Sequence, residues 1–146
     1  MCSIFGVLEV RHDLNTVRQM ALRQSRLLRH RGPDWSGIYS AEHAVLAHER
    51  LSIVDVNTGA QPILSESGRQ ALAVNGEIYN HQDIRDRFEG DYAFKTHSDC
   101  EVILPLYLEQ GTAFLDELSG MYAFCLYDEE RDFWMMARDP IGISPL

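Results

Sequence analysis

The sequence predicts one α+β domain with much antiparallel strand. Three observations carry this. The chain has 146 residues, 45% hydrophobic and 24% charged, the balance of an ordinary globular domain able to bury a real core. Its apolar runs are mostly short and bounded by Gly, Pro, Asn or Asp, with one longer stripe of helical period near the start. No internal repeat, linker or low-complexity segment divides it, so a single domain is expected over residues 1–146.

Ser3 to Val10 reads as a buried strand that begins at the N-terminus itself. Leu14 to Leu28 follows as a helix, with Val17, Met20, Ala21, Leu27 and Leu28 on one stripe. His30 to Gly37 is a loop, because Gly32-Pro33 and Gly37 break any periodicity. Gly37 to Ser40 and Ala44 to Glu49 predict a strand pair. Leu51 to Val56 is a further apolar run, closed by the turn signal Asn57-Thr-Gly59.

Ala71 to Val74 and Ile78 to Tyr79 flank Asn75-Gly76, by local rules the strongest hairpin signal in the chain. Gln82 to Phe88 predicts a short helix and Tyr92 to Thr96 a strand. Ser98-Asp-Cys-Glu101 has the form of a capping box, with Pro105 expected to kink the helix it starts and Gly111 to close it. Phe114 to Leu118 is a helical turn. Met121 to Tyr127 and Phe133 to Arg138 form a hairpin around Asp128 to Asp132.

The net charge is −9, and the basic residues cluster only over Arg23 to Arg31, which reads as a solvated helix face. Nucleic acid and anionic membrane are therefore not expected partners. Three cysteines and six scattered histidines suit neither a disulfide framework nor a zinc site, so no metal is expected. The start MCSIFGVLEV lacks a basic leader and is too short for a signal peptide or membrane span. A reduced, cytoplasmic setting is expected.

Cys2 is the residue with the most chemistry. Once Met1 is removed, it carries both a thiol and the free α-amino group. The thiolate is a strong nucleophile, and an α-amine, which ordinarily titrates at about 7.7–8.0, suits the role of its general base. A strand starting at Ser3 would hold this terminal residue in place, where most termini fray.

Several stretches together resemble the glutamine-hydrolysing domain of asparagine synthetases, which are class II (N-terminal nucleophile) glutamine amidotransferases. They are Met1-Cys-Ser-Ile-Phe-Gly6, Arg29-His-Arg-Gly-Pro-Asp-Trp-Ser-Gly37, His48-Glu-Arg-Leu-Ser-Ile-Val-Asp55, Gln61-Pro62 and Val74-Asn-Gly-Glu-Ile-Tyr-Asn80. Ser98-Asp-Cys-Glu101, Leu118-Ser-Gly-Met-Tyr-Ala-Phe124 and Arg138-Asp-Pro-Ile-Gly142 complete the set. The resemblance runs from end to end in the family's order. It implies an αββα sandwich of two mostly antiparallel sheets between helix layers.

It also implies a set of roles. Cys2 would attack the side-chain amide of glutamine, with its α-amine moving the proton. The Asn75 side chain and the Gly76 N–H would face the oxyanion, glycine letting the backbone approach the ligand. Arg50 would grip the α-carboxylate, for which a guanidinium fork is well shaped. Leu51, Ser52, Ile53 and Val54 would line that end, Ile53 and Val54 through main-chain groups, and Glu77 and Asp99 would surround the α-ammonium. His30, Arg31 and Asp34 are expected to build a loop near the pocket. A Cys–His dyad is the rival arrangement, made unnecessary by the terminal amine. Cys100 and Cys125 read as small core residues.

The family sequence continues past Leu146, so the resemblance implies an amidotransferase domain incomplete at its C-terminus, with an ATP-dependent synthetase domain absent. No nucleotide-binding loop pattern occurs. No cofactor is expected in this chain, since ATP and Mg would belong to the synthetase domain. The expected partners are L-glutamine and that domain in the full-length protein, with a homodimer left open. The expected reaction is glutamine to glutamate and ammonia through a Cys2 thioester. The alternative is a non-catalytic truncated fragment or interaction module that keeps the glutamine pocket.

Overall fold

The computed structural model describes residues 2–52 and 59–146. Strand β1 (Ser3–Leu8) is followed by helix α1 (Leu14–Leu27), β2 (Trp35–Ser40) and β3 (Ala44–Arg50). The three strands form an antiparallel sheet in the order β1-β3-β2, with Ser3 opposite Glu49 and Gly37 opposite His48. A second antiparallel sheet runs in chain order through β4 (Ile63–Leu64), β5 (Gln70–Ile78), β6 (Gly120–Asp128) and β7 (Phe133–Arg138). Between β5 and β6 lie α2 (His81–Arg87), a 3₁₀ turn (Asp99–Val102), α3 (Ile103–Gln110) and a second 3₁₀ segment (Gly111–Glu117).

Side chains alternate along a strand, so each sheet serves two layers. Val45 of β3 clusters with Val17 and Ala21 of α1. Its neighbours Ala44 and Leu46 cluster instead with Ala71, Ala73 and Cys125 of the second sheet. The far face of that sheet (Leu72, Val74, Phe124, Leu126) shares a third cluster with Ile103, Leu104, Leu106 and Tyr107 of α3. The order helix, sheet, sheet, helices is the αββα sandwich expected. Among the described residues no helix is long and apolar enough to cross a membrane.

Two polar groups on β3 follow the same alternation. Glu49, turned toward α1, is buried and accepts hydrogen bonds from the hydroxyls of Ser25 (2.6 Å) and Ser36. His48, turned toward the second sheet, is fully buried, with Nε2 2.9 Å from the carbonyl oxygen of Val74. A carbonyl only accepts, so Nε2 carries the hydrogen. Burial pushes the imidazole pKa down to about 4.

The structure departs from local expectation at four places. Asn75-Gly76 makes no hairpin: β5 runs straight through it, paired with β6 from Gln70 opposite Asp128 to Ile78 opposite Gly120. The hydrogen bonds of a whole ladder outweigh one dipeptide's turn preference. Leu27 is 71% exposed, and Ser25, at the i+4 spacing set by Val17 and Ala21, takes the inward place and donates to Glu49. Tyr92 to Thr96 is not a strand. The buried Glu101 carboxylate takes the N–H groups of Lys95 and Thr96 (both 2.8 Å), rather than returning to its own helix start. Pro105 falls in the first turn of α3, where its missing N–H costs little, so the irregularity sits at the 3₁₀–α junction.

Removing the Ser25 hydroxyl leaves a buried carboxylate short of a donor. Ser25→Ala is expected to lower stability by about 1–3 kcal/mol in urea unfolding, whereas Arg23→Ala on the exposed face of α1 stays within about 0.5 kcal/mol.

His48 is neutral in the native state down to about pH 4, while the unfolded chain protonates it near its ordinary value of about 6.5. The unfolded state therefore binds more protons between these limits, and stability present above 6.5 is lost as pH falls through this window. Wild-type protein is expected to lose roughly 2 kcal/mol from this group between pH 7.5 and pH 5. Urea unfolding at both pH values, compared with the slope of His48→Gln, measures it. Equal slopes would refute the assignment.

Candidate active site

Ser3 turns its hydroxyl toward α1, 3.4 Å from Leu28 O. Ile4, one position on, packs into the layer between the sheets. By the same alternation Cys2 faces the second sheet. Its Sγ lies 3.3 Å from the N–H of Leu51 and 3.6 Å from the Leu51 carbonyl oxygen. Leu51 follows the last residue of β3, so the end of the central strand holds the thiol at the mouth of the sandwich. The N–H can serve a thiolate, and the carbonyl can accept from a thiol.

The inter-sheet face of β5 carries Ala71 and Ala73, and the same period brings Asn75 and Glu77 to that side. Cys2, Arg50, Leu51, Asn75, Gly76, Glu77 and Asp99 all line one cavity of about 150 Å³. Residues named from separate stretches of the chain thus meet at one place. Ser52 does not line it; its N–H donates to Asp34 Oδ2 at 2.8 Å, while the Asp34 N–H donates to Arg50 O at 3.0 Å. Asp34 accordingly ties the loop before β2 to the segment after β3; the expected loop ends at Asp34, since Trp35 to Gly37 belong to β2. Ile53 and Val54 lie outside the described residues.

Asp99 opens the 3₁₀ turn, capped by the Ser98 hydroxyl on the Cys100 N–H. Its Oδ2 accepts from Ile78 N–H at 2.7 Å, which fixes the carboxylate against the end of β5. Among the described residues, the cavity wall therefore holds one guanidinium and two carboxylates, Arg50 with Glu77 and Asp99. That charge pattern matches a small zwitterion. The volume is below the range of drug-sized ligand pockets.

The three free cysteines differ sharply in environment. Burial pushes the Cys125 thiol up to about 12. Burial, with the Asp99 carboxylate beside it, pushes Cys100 well above the ordinary thiol range. Both stay protonated near neutral pH and are poor nucleophiles. Cys2 is only partly buried and opens onto the cavity. No histidine is among the described residues that line it; His30 is exposed, with Nδ1 3.1 Å from Leu27 O. The Cys–His dyad finds no partner there.

Gly76 is also under a packing constraint. A Cβ placed on it would lie 2.2 Å from Met121 O and 2.5 Å from Tyr122 Cα. The neighbouring strand by itself leaves no room for a side chain at this position.

Gln61, Met121, Ile143 and Ser144 also line the cavity and were assigned no role from sequence. Their residue types carry no chemical signal, although the first two fall in stretches already singled out for resemblance. Ile143 and Ser144 are brought in by Asp139, whose carboxylate accepts their N–H groups (3.0 and 3.1 Å) and that of Tyr122 (3.2 Å). These backbone donors, led by Ile143, hold the Asp139 pKa down to about 2.

Comparison with known proteins bears on the family and the fold. Residues 1–146 match the family described as the glutamine amidotransferase domain. Asparagine synthetase B [glutamine-hydrolyzing] of Escherichia coli K12 is 60% identical over all of this chain, which spans 26% of that relative. Probable asparagine synthetases of Schizosaccharomyces pombe and Dictyostelium discoideum are 51% and 48% identical, again over the whole chain and over 26% and 27% of their own lengths. The chain thus spans about a quarter of the curated relatives it matches. A solved glutamine phosphoribosylpyrophosphate amidotransferase of Bacillus subtilis, complexed with ADP and GMP, covers 97% of this chain and 37% of its own with a TM-score of 0.70. At 22% identity that likeness establishes the fold. The chain belongs to the glutamine amidotransferase domain family.

Proposed function

We propose that this domain hydrolyses L-glutamine to glutamate and ammonia through a thioester on Cys2, as the glutaminase part of an asparagine synthetase. The observation that carries the reading is the meeting of Cys2 with Asn75, Gly76, Arg50 and Asp99 around one small cavity. Relatives named glutamine-hydrolysing asparagine synthetases, at up to 60% identity over the whole chain, support it.

In this reading Arg50 pairs with the substrate α-carboxylate, while Asp99 and Glu77 receive the α-ammonium. After Met1 removal, the Cys2 α-amine takes the thiol proton as sulfur bonds to the amide carbon. Negative charge moves to the former carbonyl oxygen, where the Asn75 side-chain amide and the Gly76 N–H donate. The intermediate collapses, the C–N bond breaks, and the α-amine returns its proton to the leaving ammonia. Water then adds to the thioester, and glutamate leaves as Cys2 is restored.

In the longer protein, ammonia would meet an aspartyl adenylate formed with ATP and Mg by a synthetase domain. An internal route suits the chemistry, because ammonia released into water at pH 7 is mostly protonated. A cytoplasmic, reducing setting suits free thiols at Cys2, Cys100 and Cys125.

Purified chain treated with a glutamine analogue bearing a γ-diazoketone is expected to lack Met1 and to gain one covalent adduct, on Cys2, by intact mass. Cys2→Ala should gain none and release no ammonia from glutamine. A folded protein that keeps Met1 and takes no label would be a glutamine-binding module without turnover, and the catalytic reading would be lost.

The pocket roles separate kinetically. Arg50→Ala is expected to raise KM for glutamine, whereas Asn75→Ala should lower kcat by about 10²–10³-fold with a smaller change in KM. A change confined to KM in Asn75→Ala would contradict the oxyanion role.

A further inference from the structure

Gln61 precedes β4 and lines the cavity beside Asn75 and Gly76. β4 pairs with β5 only at Ile63 opposite Leu72 and Leu64 opposite Ala71. Continuing that register by two residues would set Gln61 opposite Val74. There the main-chain ladder is replaced by a side chain. Gln61 Nε2 donates to Val74 O at 3.0 Å, and the Val74 N–H donates to Gln61 Oε1 at 2.7 Å. The carboxamide makes both bonds that a paired residue's backbone would have made.

Gln61 is itself wedged from behind. A Cβ placed on Gly37 of β2 would lie 1.7 Å from the Gln61 carbonyl oxygen, so the two main chains touch. Gly37 is opposite His48 in the first sheet, and His48 Nε2 meets the same Val74 oxygen at 2.9 Å. The peptide just before Asn75 is thus clamped between the sheets by Gln61 and His48.

Backbone groups two residues apart on a strand leave by the same edge. The Gly76 N–H therefore projects from the edge of β5 that faces Gln61, one step beyond it, and among the described residues no strand pairs with β5 there. A main-chain partner at position 61 would carry the ladder onward and cover that N–H. A side chain closes the ladder and stops.

We infer that Gln61 is a positioning residue for the oxyanion donors, fixing the Val74 peptide from which Asn75 and the Gly76 N–H are aimed into the cavity. The role rests on the glutaminase reading given above. Its physical basis is that donors held in place before reaction need no reorganisation as charge develops.

The test uses the 146-residue chain with Gln61→Leu and Gln61→Glu, following glutamine kcat and KM beside alkylation of Cys2 by iodoacetamide. Alkylation needs the thiolate but no oxyanion. Gln61→Leu is expected to lower kcat by roughly 10-fold or more with KM and the alkylation rate changed by less than about 3-fold. In Gln61→Glu the protonated acid can still donate to Val74 O and accept from its N–H, whereas the carboxylate cannot donate. Its kcat relative to wild type should therefore recover at acidic pH and fall as the introduced group ionises, a titration Gln61→Leu lacks.

Unchanged kcat in Gln61→Leu, equal slowing of alkylation and turnover, or a parallel pH profile in the two variants would each overturn the positioning role. In those cases the wild type still turns over glutamine. A wild type that neither turns over glutamine nor takes the diazoketone label would overturn the glutaminase reading and this role with it.

Discussion

The face-to-face packing of two sheets through small side chains is the constraint on which the rest of the molecule depends. Ala71, Ala73 and Cys125 of the second sheet meet Ala44 and Leu46 of the first, and side chains of that size let the two backbones lie close. Closeness has a direct chemical result. The thiol just before β1 of the first sheet and the amide of Asn75 on β5 of the second line one cavity of about 150 Å³. Larger residues in the shared layer would separate the nucleophile from its proposed oxyanion donors without touching either.

Three polar side chains buried in this sandwich each bind groups from another part of the chain. Glu49 holds two serine hydroxyls between α1 and the first sheet. His48 donates across the inter-sheet layer to Val74, and Glu101 gathers the N–H groups of a loop that would otherwise lack partners. The same burial that makes these contacts strong also sorts the cysteines. Cys100 and Cys125 are kept as thiols by desolvation, which leaves Cys2, at the rim, as the thiol placed to react.

Legibility followed the range of the interactions involved. α1 was readable because its stripe is a local property, and so was the β6–β7 hairpin, whose strands are joined by a short polar connection. The irregular stretch Tyr92 to Thr96 was not, because a buried carboxylate beyond it in sequence claims its amides. Leu27 is apolar yet lies off the buried face, where the helical period places Ser25 beside Glu49, a residue 24 positions away. Asn75-Gly76 was the sharpest conflict. Its turn signal is local, but its partners on β6, Ala123 and Tyr122, are distant and more numerous along the ladder.

For the candidate site, the sequence by itself determined the chemistry available: a thiol beside a removable methionine, an amide, a guanidinium and two carboxylates in recognisable settings. Cys2 is marked by its residue type and position, whereas the roles of Asn75, Arg50, Glu77 and Asp99 are implied by the family resemblance. Only the tertiary structure decided which of these meet, that β6 crosses too near Gly76 to admit a side chain, and that Gln61 completes the β5 ladder with its carboxamide. Those facts depend on distances between strands far apart in the chain, and no pattern within a single stretch of residues encodes such a distance.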